Sequence, residues 1–319
     1  MRLALTARSW MMRAMKLRRV FWTLLKIVGA LVLLIALVVG SVWIYFHPDF
    51  KRTNDIVYGQ RKGHELTIDV VKPSKPNGLG VLLLVSGGWK SSRGSLRPWM
   101  VAPLLRHGYT VFAVYHVSQP EATIMEVNDD MHRAVRFIRH HAREYGVDPQ
   151  RLGVTGGSAG GHLSLLLATR GGPGPTDAAD VIDRESSAVQ AVAIFYPVTD
   201  LLNLGNSTEN LHDGGPPKSF VKGFGPNSTN LAVWQVIGHD LSPIFFVRSN
   251  LPPTLIYHGD ADTLVPLDQS QRYQAEAQKL GDKVELVIHH KGNHGWLSMI
   301  WDIRKFANWF DKYLLKPAN

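Results

Sequence analysis

The chain has 319 residues, and seven of its 35 basic residues but none of its 26 acidic ones lie within residues 1–46. The formal net charge of +9 is therefore local, and the near-neutral remainder, without a basic stripe interleaved with aromatics, argues against a nucleic-acid partner. The absence of cysteine excludes disulfides, cysteine-ligated metal and a thiol nucleophile.

In chain order, residues 1–26 read as a basic N-terminal segment. The run "IVGALVLLIALVVGSVWIYF" (27–46) has twenty residues and no charge, enough to cross a bilayer as one helix. Trp22, Trp43 and Tyr45 stand near its ends, where amphipathic rings suit the interface. The positive-inside rule puts the N-terminus in the cytoplasm and the remainder on the outer, periplasmic or extracellular, side. A cleavable signal peptide is the competing reading, but the apolar core is long for it and a small-x-small cleavage site is poorly defined.

A polar tether, "HPDFKRTND", leads into the domain expected over 55–316. "DIVYG" and "ELTIDVV" read as paired strands joined around Gly63, and "LGVLLLV" as a strand buried on both faces. Then follow a helix ending at Gly108, the strand "YTVFAVYH", and a helix over "EVNDDMHRAVRFIRHHAREYG". "RLGVTG" is a strand and "GGHLSLLLATR" a helix. "VQAVAIFYP", "PPTLIYHG" and "KVELVIHH" complete eight strands, with helical patterns between the last two and after the final one. This alternation predicts an α/β architecture with a mostly parallel sheet. Residues 201–250, rich in Gly, Asn, Ser and Pro, break the rhythm as a lid candidate or a surface excursion.

The glycine cluster "GVTGGSAGG" contains no Lys-Ser/Thr pair and no G-x-G-x-x-G spacing, so neither a phosphate cradle nor a dinucleotide fingerprint fits. G-x-S-x-G does fit: Gly156 and Gly160 flank Ser158 between a predicted strand and a predicted helix. At such a turn the serine stands clear of the sheet and its neighbours two residues away must be small. The Ala159 amide then faces any oxyanion that forms. Serine needs a general base, and in this architecture the order is serine, acid, histidine, each after a late strand. "HGDADTLVP" supplies Asp260 and Asp262, and "HHKGNHGW" supplies His289, His290 and His294.

From about Asp55 to Leu315 the chain resembles the esterase/lipase branch of the α/β-hydrolase superfamily, close to the acetyl-esterase and feruloyl-esterase-like (BD-FAE type) group. "YGVDPQRLGVTGGSAGGHL", "HGDADTLVP" and "GNHGW" carry the resemblance. It implies the α/β-hydrolase fold, with Asp262 as the triad acid (Asp260 the runner-up) and His294 as the base. His289 and His290 fall to structural roles. The family's H-G-G-G-W oxyanion loop reads here "VSGGW". Val85 and Ser86 replace the histidine and first glycine, while Gly87 and Gly88 remain as amide donors beside Ala159.

Trp89 and Trp296 adjoin the expected catalytic elements and are candidates for a substrate pocket as much as for core packing. Asp129 and Asp130 are expected to cap or complement their helix N-terminus, and Asp200 to hold a turn. His132, His140 and His141 share a helix, but adjacent residues do not share a face and no H-E-x-x-H occurs. No metal and no organic cofactor are expected. The residues thus lead to a membrane-anchored serine hydrolase acting on a small-molecule ester. A prolyl-oligopeptidase-like peptidase, a dienelactone hydrolase and a tethered non-catalytic binding module are the rivals. The oligomeric state and the acyl and alcohol groups are not legible.

Overall fold

The computed structural model describes residues 2–315; Met1 and residues 316–319, which hold the expected domain end at 316, lie outside the described residues. Two units emerge, Met1–His47 and Pro48–Asn319. The first is one helix, α1 (Arg2–Phe46). Its stretch Trp10–Phe46 is, by length and composition, the one helix among the described residues able to cross a bilayer. The helix continues without a break across residue 26, because Lys and Arg are good helix formers.

The second unit opens with a hairpin of β1 (Phe50–Arg61) and β2 (His64–Pro73). Lys62 and Gly63 turn it with φ of 50° and 80°, the left-handed pair that matches strand twist. β1 is longer than "DIVYG" suggested. As an antiparallel edge strand it keeps one face in water, so polar residues at its start do not end it.

The parallel strands are β3 (Gly80–Leu84), β4 (Thr110–Val114), β5 (Leu152–Gly157), β6 (Ala191–Phe195), β7 (Thr254–Gly259) and β8 (Val284–His289). Their order, β1-β2-β4-β3-β5-β6-β7-β8, makes one eight-stranded sheet, antiparallel only at β1/β2 and β2/β4. Helices α2 (Pro98–Arg106), α3 (Ile124–His140), the one-turn α4 (Ala142–Tyr145), α5 (Ala159–Arg170), α6 (Leu231–Asp240), α7 (Asp268–Lys279) and α8 (Met299–Phe310) complete it. The core lies on both faces of this sheet.

From β3 the chain runs to β4 on one side, then crosses back over β3 to β5 on the other. The C-terminal ends of β3 and β5 therefore bound a crevice at the switch point, where ligands bind in open α/β sheets. α5 starts there. From Ala159 to Thr169 every residue is buried, which explains a sequence apolar nearly all round.

α3 differs from expectation at its start. Thr123, not Asp129 or Asp130, is the cap: its hydroxyl accepts from the Glu126 amide while Glu126 reaches back to the Thr123 amide. Asp130 is buried and pairs with Arg61 at 2.6 Å instead. Asp200 does hold a turn, accepting from the Leu202 and Asn203 amides, and it also pairs with Arg272.

Candidate active site

Ser158 joins β5 to α5 with φ 54° and ψ −118°, a strained conformation for a residue with a side chain. The flanking glycines are obligatory for clearance. A Cβ on Gly156 would stand 2.6 Å from the Gly160 backbone, and one on Gly160 would stand 2.5 Å from the Leu84 carbonyl oxygen. The turn is held by the Ser158 amide, which donates to the Phe195 carbonyl at 3.1 Å, and by the Gly160 amide, which donates to Ser86 at 3.0 Å.

The chain ends of β7 and β8 bring the partners. The Ser158 hydroxyl donates to His294 Nε2 at 2.9 Å, and His294 Nδ1–H donates to Asp262 Oδ2 at 2.7 Å. Asp262 is buried and its second oxygen accepts the Leu264 and Val265 amides at 3.0 and 2.9 Å. Burial alone drives this carboxyl upward. Hydrogen bonding from His258 and His294 and from the Val265 amide outweighs that and holds it well below the usual carboxylate range. The His258 share acts over 3.6 Å, since its Nε2–H donates to the Val265 carbonyl at 2.7 Å.

Asp260, the runner-up, is turned to solvent and pairs with His290 and the Lys291 amide. His289 stacks on Trp296, its Nε2 3.1 Å from the Ser298 hydroxyl. Neither histidine joins Ser158.

The opposite wall is the loop after β3. Gly88 and Trp89 both have φ of 55°, and the Gly87 and Lys90 backbones exchange two 3.0 Å hydrogen bonds around them. This is a tight mirror-image turn. It corrects one expectation: the Gly87 amide is spent on Lys90. Among the described residues no acceptor is recorded for the Gly88 or Ala159 amides, so these two remain as the candidate oxyanion donors.

Support for the loop comes from two buried histidines distant in sequence rather than from position 85. The Ser86 hydroxyl donates to His116 Nε2 at 2.9 Å, and His116 Nδ1–H donates to the Val117 carbonyl at 2.8 Å. The Trp89 indole donates to His162 Nδ1 at 3.1 Å, while His162 Nε2–H donates to the Leu241 carbonyl at 2.6 Å. Burial pushes both imidazoles down to about 4, which keeps them neutral and able to accept. Gln119 completes the support through its amide to the Trp89 carbonyl and its side chain to Gly88.

Ser158, His294, Gly88 and Ala159 line one cavity of about 380 Å³. The excursion after β6 closes it with Leu201, Leu204, Ser207 and Phe220. Trp89 also lines it, buried and edge-on to Phe220. Trp296 does not. Its indole donates to Asp302 at 2.7 Å, which anchors it on the far side of Tyr196. Tyr196 was not singled out by the sequence, although it follows β6 directly and lies tilted against the His294 ring, 4.4 Å between centroids.

The chain is similar to several known esterases. The BD-FAE family model matches residues 68–276, a span that includes Ser158 and Asp262 but stops before His294. Esterase LipQ of Mycobacterium tuberculosis is 30% identical over 239 residues, covering 72% of this chain and 53% of that protein. The chain spans about half the length of the curated relatives it matches. The acetyl ester-xyloside bifunctional hydrolase of Caldicellulosiruptor lactoaceticus superposes with a TM-score of 0.65 at 25% identity, covering 83% and 97% of the two chains. The butyrate-bound esterase Est2 of Thermogutta terrifontis gives 0.61 at 26%, covering 84% and 93%. A family match over well more than half the length and an eight-stranded sheet of this order lead to one conclusion: the chain belongs to the BD-FAE family, within the α/β-hydrolase superfamily.

Proposed function

We propose that the protein is a carboxylic-ester hydrolase working through Ser158, His294 and Asp262. The observation that carries this reading is the unbroken hydrogen-bond chain from Asp262 through His294 to a serine on a strained elbow, facing a cavity of its own. Ser158 Oγ attacks the acyl carbon as its proton passes to His294 Nε2. Asp262 holds the imidazole tautomer and stabilises the imidazolium. The Gly88 and Ala159 amides receive the developing oxyanion. Collapse of the tetrahedral intermediate breaks the bond to the alcohol oxygen, which takes the proton from His294. Water, deprotonated by the same imidazole, then frees the acid and restores Ser158. The Thermogutta relative's structure holds butyrate, and a cavity of about 380 Å³ suits an acyl chain of that order.

The purified domain is expected to hydrolyse p-nitrophenyl butyrate with kcat/KM of roughly 10⁴ M⁻¹s⁻¹ or more, and to leave an aminoacyl-proline amide intact. Absence of turnover on any ester would overturn the reading, and preference for the amide would replace it with a peptidase.

The same proposal includes a single-pass anchor at 27–46, with residues 1–26 cytoplasmic, the hydrolase domain (55–316) outside and the 201–250 segment serving as its lid. The apolar helix and the N-terminal excess of basic residues support it. In spheroplasts, external protease is expected to degrade the domain. Protection until the inner membrane is lysed would reverse the topology.

A further inference from the structure

A second cavity, about 520 Å³, lies between α2 and α8 on the face of the sheet opposite α5. Its lining is almost wholly apolar and includes Leu104, Phe195, Trp296, Ile300, Ile303 and Phe306. Gly157 and Tyr196 line it and also line the Ser158 cavity, so the two spaces share one wall beside the nucleophile. Gly157 contributes no side chain to that wall. Among the described residues, the Tyr196 hydroxyl has one weak hydrogen bond, to Met299 Sδ at 3.8 Å. Around the mouth, Trp99 and Met100 are exposed and Leu297 is fully so. Large apolar side chains gathered at one opening mark a binding surface.

The chemistry of the site assigns the two spaces. The alcohol must leave from the His294 side, because His294 Nε2 delivers its proton. Tyr196 covers a face of that imidazole and lines both cavities. The acyl chain belongs in the space bounded by Gly88, Ala159 and the 201–224 excursion. We propose that the second cavity is an alcohol subsite, and that the substrates are esters of a short acid with a long or bulky apolar alcohol. This rests on the ester-hydrolase reading of Ser158. Other covers for an apolar groove, such as a second copy of the chain, lack the shared wall with the nucleophile that favours a substrate.

The test measures butyrate release from methyl, hexyl and decyl butyrate, below their aggregation limits, by the full chain in detergent. Each buried methylene is expected to raise kcat/KM about threefold until the cavity fills, so hexyl should exceed methyl butyrate by at least thirtyfold. Ile303→Trp, which fills the cavity, is expected to bring that ratio within threefold of unity. Leu297→Gln, at an open position where folding is not at stake, should lower it severalfold and decides alone if Ile303→Trp fails to fold. A flat alcohol series in the wild type, or a ratio unmoved by Leu297→Gln and by a folded Ile303→Trp, overturns the proposal. So does a Leu297→Gln protein that changes from dimer to monomer with its ratio intact, since the groove would then be a self-interface. Turnover of p-nitrophenyl butyrate without an alcohol preference sinks only the subsite. Absence of turnover on every ester sinks the underlying reading.

Discussion

Replacing Ser158 by alanine is expected to lower kcat for ester hydrolysis about a million-fold and to abolish labelling by a fluorophosphonate probe. The size of the loss follows from what the hydroxyl does. It is the atom that bonds the acyl carbon, and no cysteine exists anywhere in the chain to substitute for it. The variant should fold normally. The strained turn is held by backbone contacts, from the Ser158 amide to Phe195 and from the Gly160 amide to Ser86, and alanine keeps both. Among the described residues, the one side-chain partner lost is His294 Nε2. Thermal unfolding within about 2 °C of the wild type, together with the lost turnover, would attribute the effect to chemistry. A residual rate some 10³-fold above water is expected from the Gly88 and Ala159 amides and from binding alone. Persistent probe labelling, or activity within tenfold of wild type, would remove Ser158 from the mechanism.

Much of this architecture was legible because strand and helix periods announce themselves locally. The buried runs "LGVLLLV", "VQAVAIFYP" and "PPTLIYHG" became β3, β6 and β7 with ends shifted by only a few residues. The elbow was legible for a steric reason. Only glycine can stand where a Cβ would meet backbone at 2.5 or 2.6 Å, so Gly156 and Gly160 record the turn in the sequence itself. What escaped was set by partners remote in the chain. The loop at 86–90 reads as having lost its bracing histidine, yet His116 and His162 reach it from the loop after β4 and from α5 across 30 and 73 residues. No local pattern encodes that. The cavity roof was legible only as a segment: 201–250 stood out as a lid candidate, but which of its residues would line the cavity did not, because the excursion has no period and its apolar residues find their places only against the folded sheet. Trp296 illustrates the limit: Asp302 holds its ring on the other side of Tyr196, so adjacency to His294 in sequence set it at the second cavity and not at the Ser158 cavity.

The same reasoning separates two aspartates that the sequence leaves only two residues apart. Asp260 and Asp262 both follow β7, but the chain turns between them. One is left in solvent with His290, while the other is buried under His258 and His294. A carboxylate exposed to water interacts weakly with any imidazole, through a high dielectric and at the cost of side-chain freedom. A buried one, with both oxygens occupied, fixes its partner's position and tautomer. Burial therefore decides which acid can serve His294, and within "HGDADTLVP" it falls on Asp262.

Asp262→Asn is accordingly expected to lower kcat about 10⁴-fold with KM little changed, whereas Asp260→Asn should stay within a few-fold of wild type. The asparagine oxygen can still accept the Leu264 and Val265 amides, so the turn should survive. Its NH₂ group would face His294 Nδ1, which favours the tautomer with the proton on Nε2. That places a donor where the base must accept from Ser158. The stability of the two proteins supplies an independent check. Asp262 has a folded carboxyl held well below its ordinary value of 3.8, so the carboxylate contributes stability that is fully present above that value and lost only as pH falls through the folded one. The wild type should thus unfold at higher urea than Asp262→Asn at pH 7, and the gap should narrow once pH drops below about 3.8. A gap that persists unchanged into strong acid would mean that the carboxylate's charge is not what the site uses. Equal kcat in both aspartate variants would move the triad acid away from Asp262 altogether.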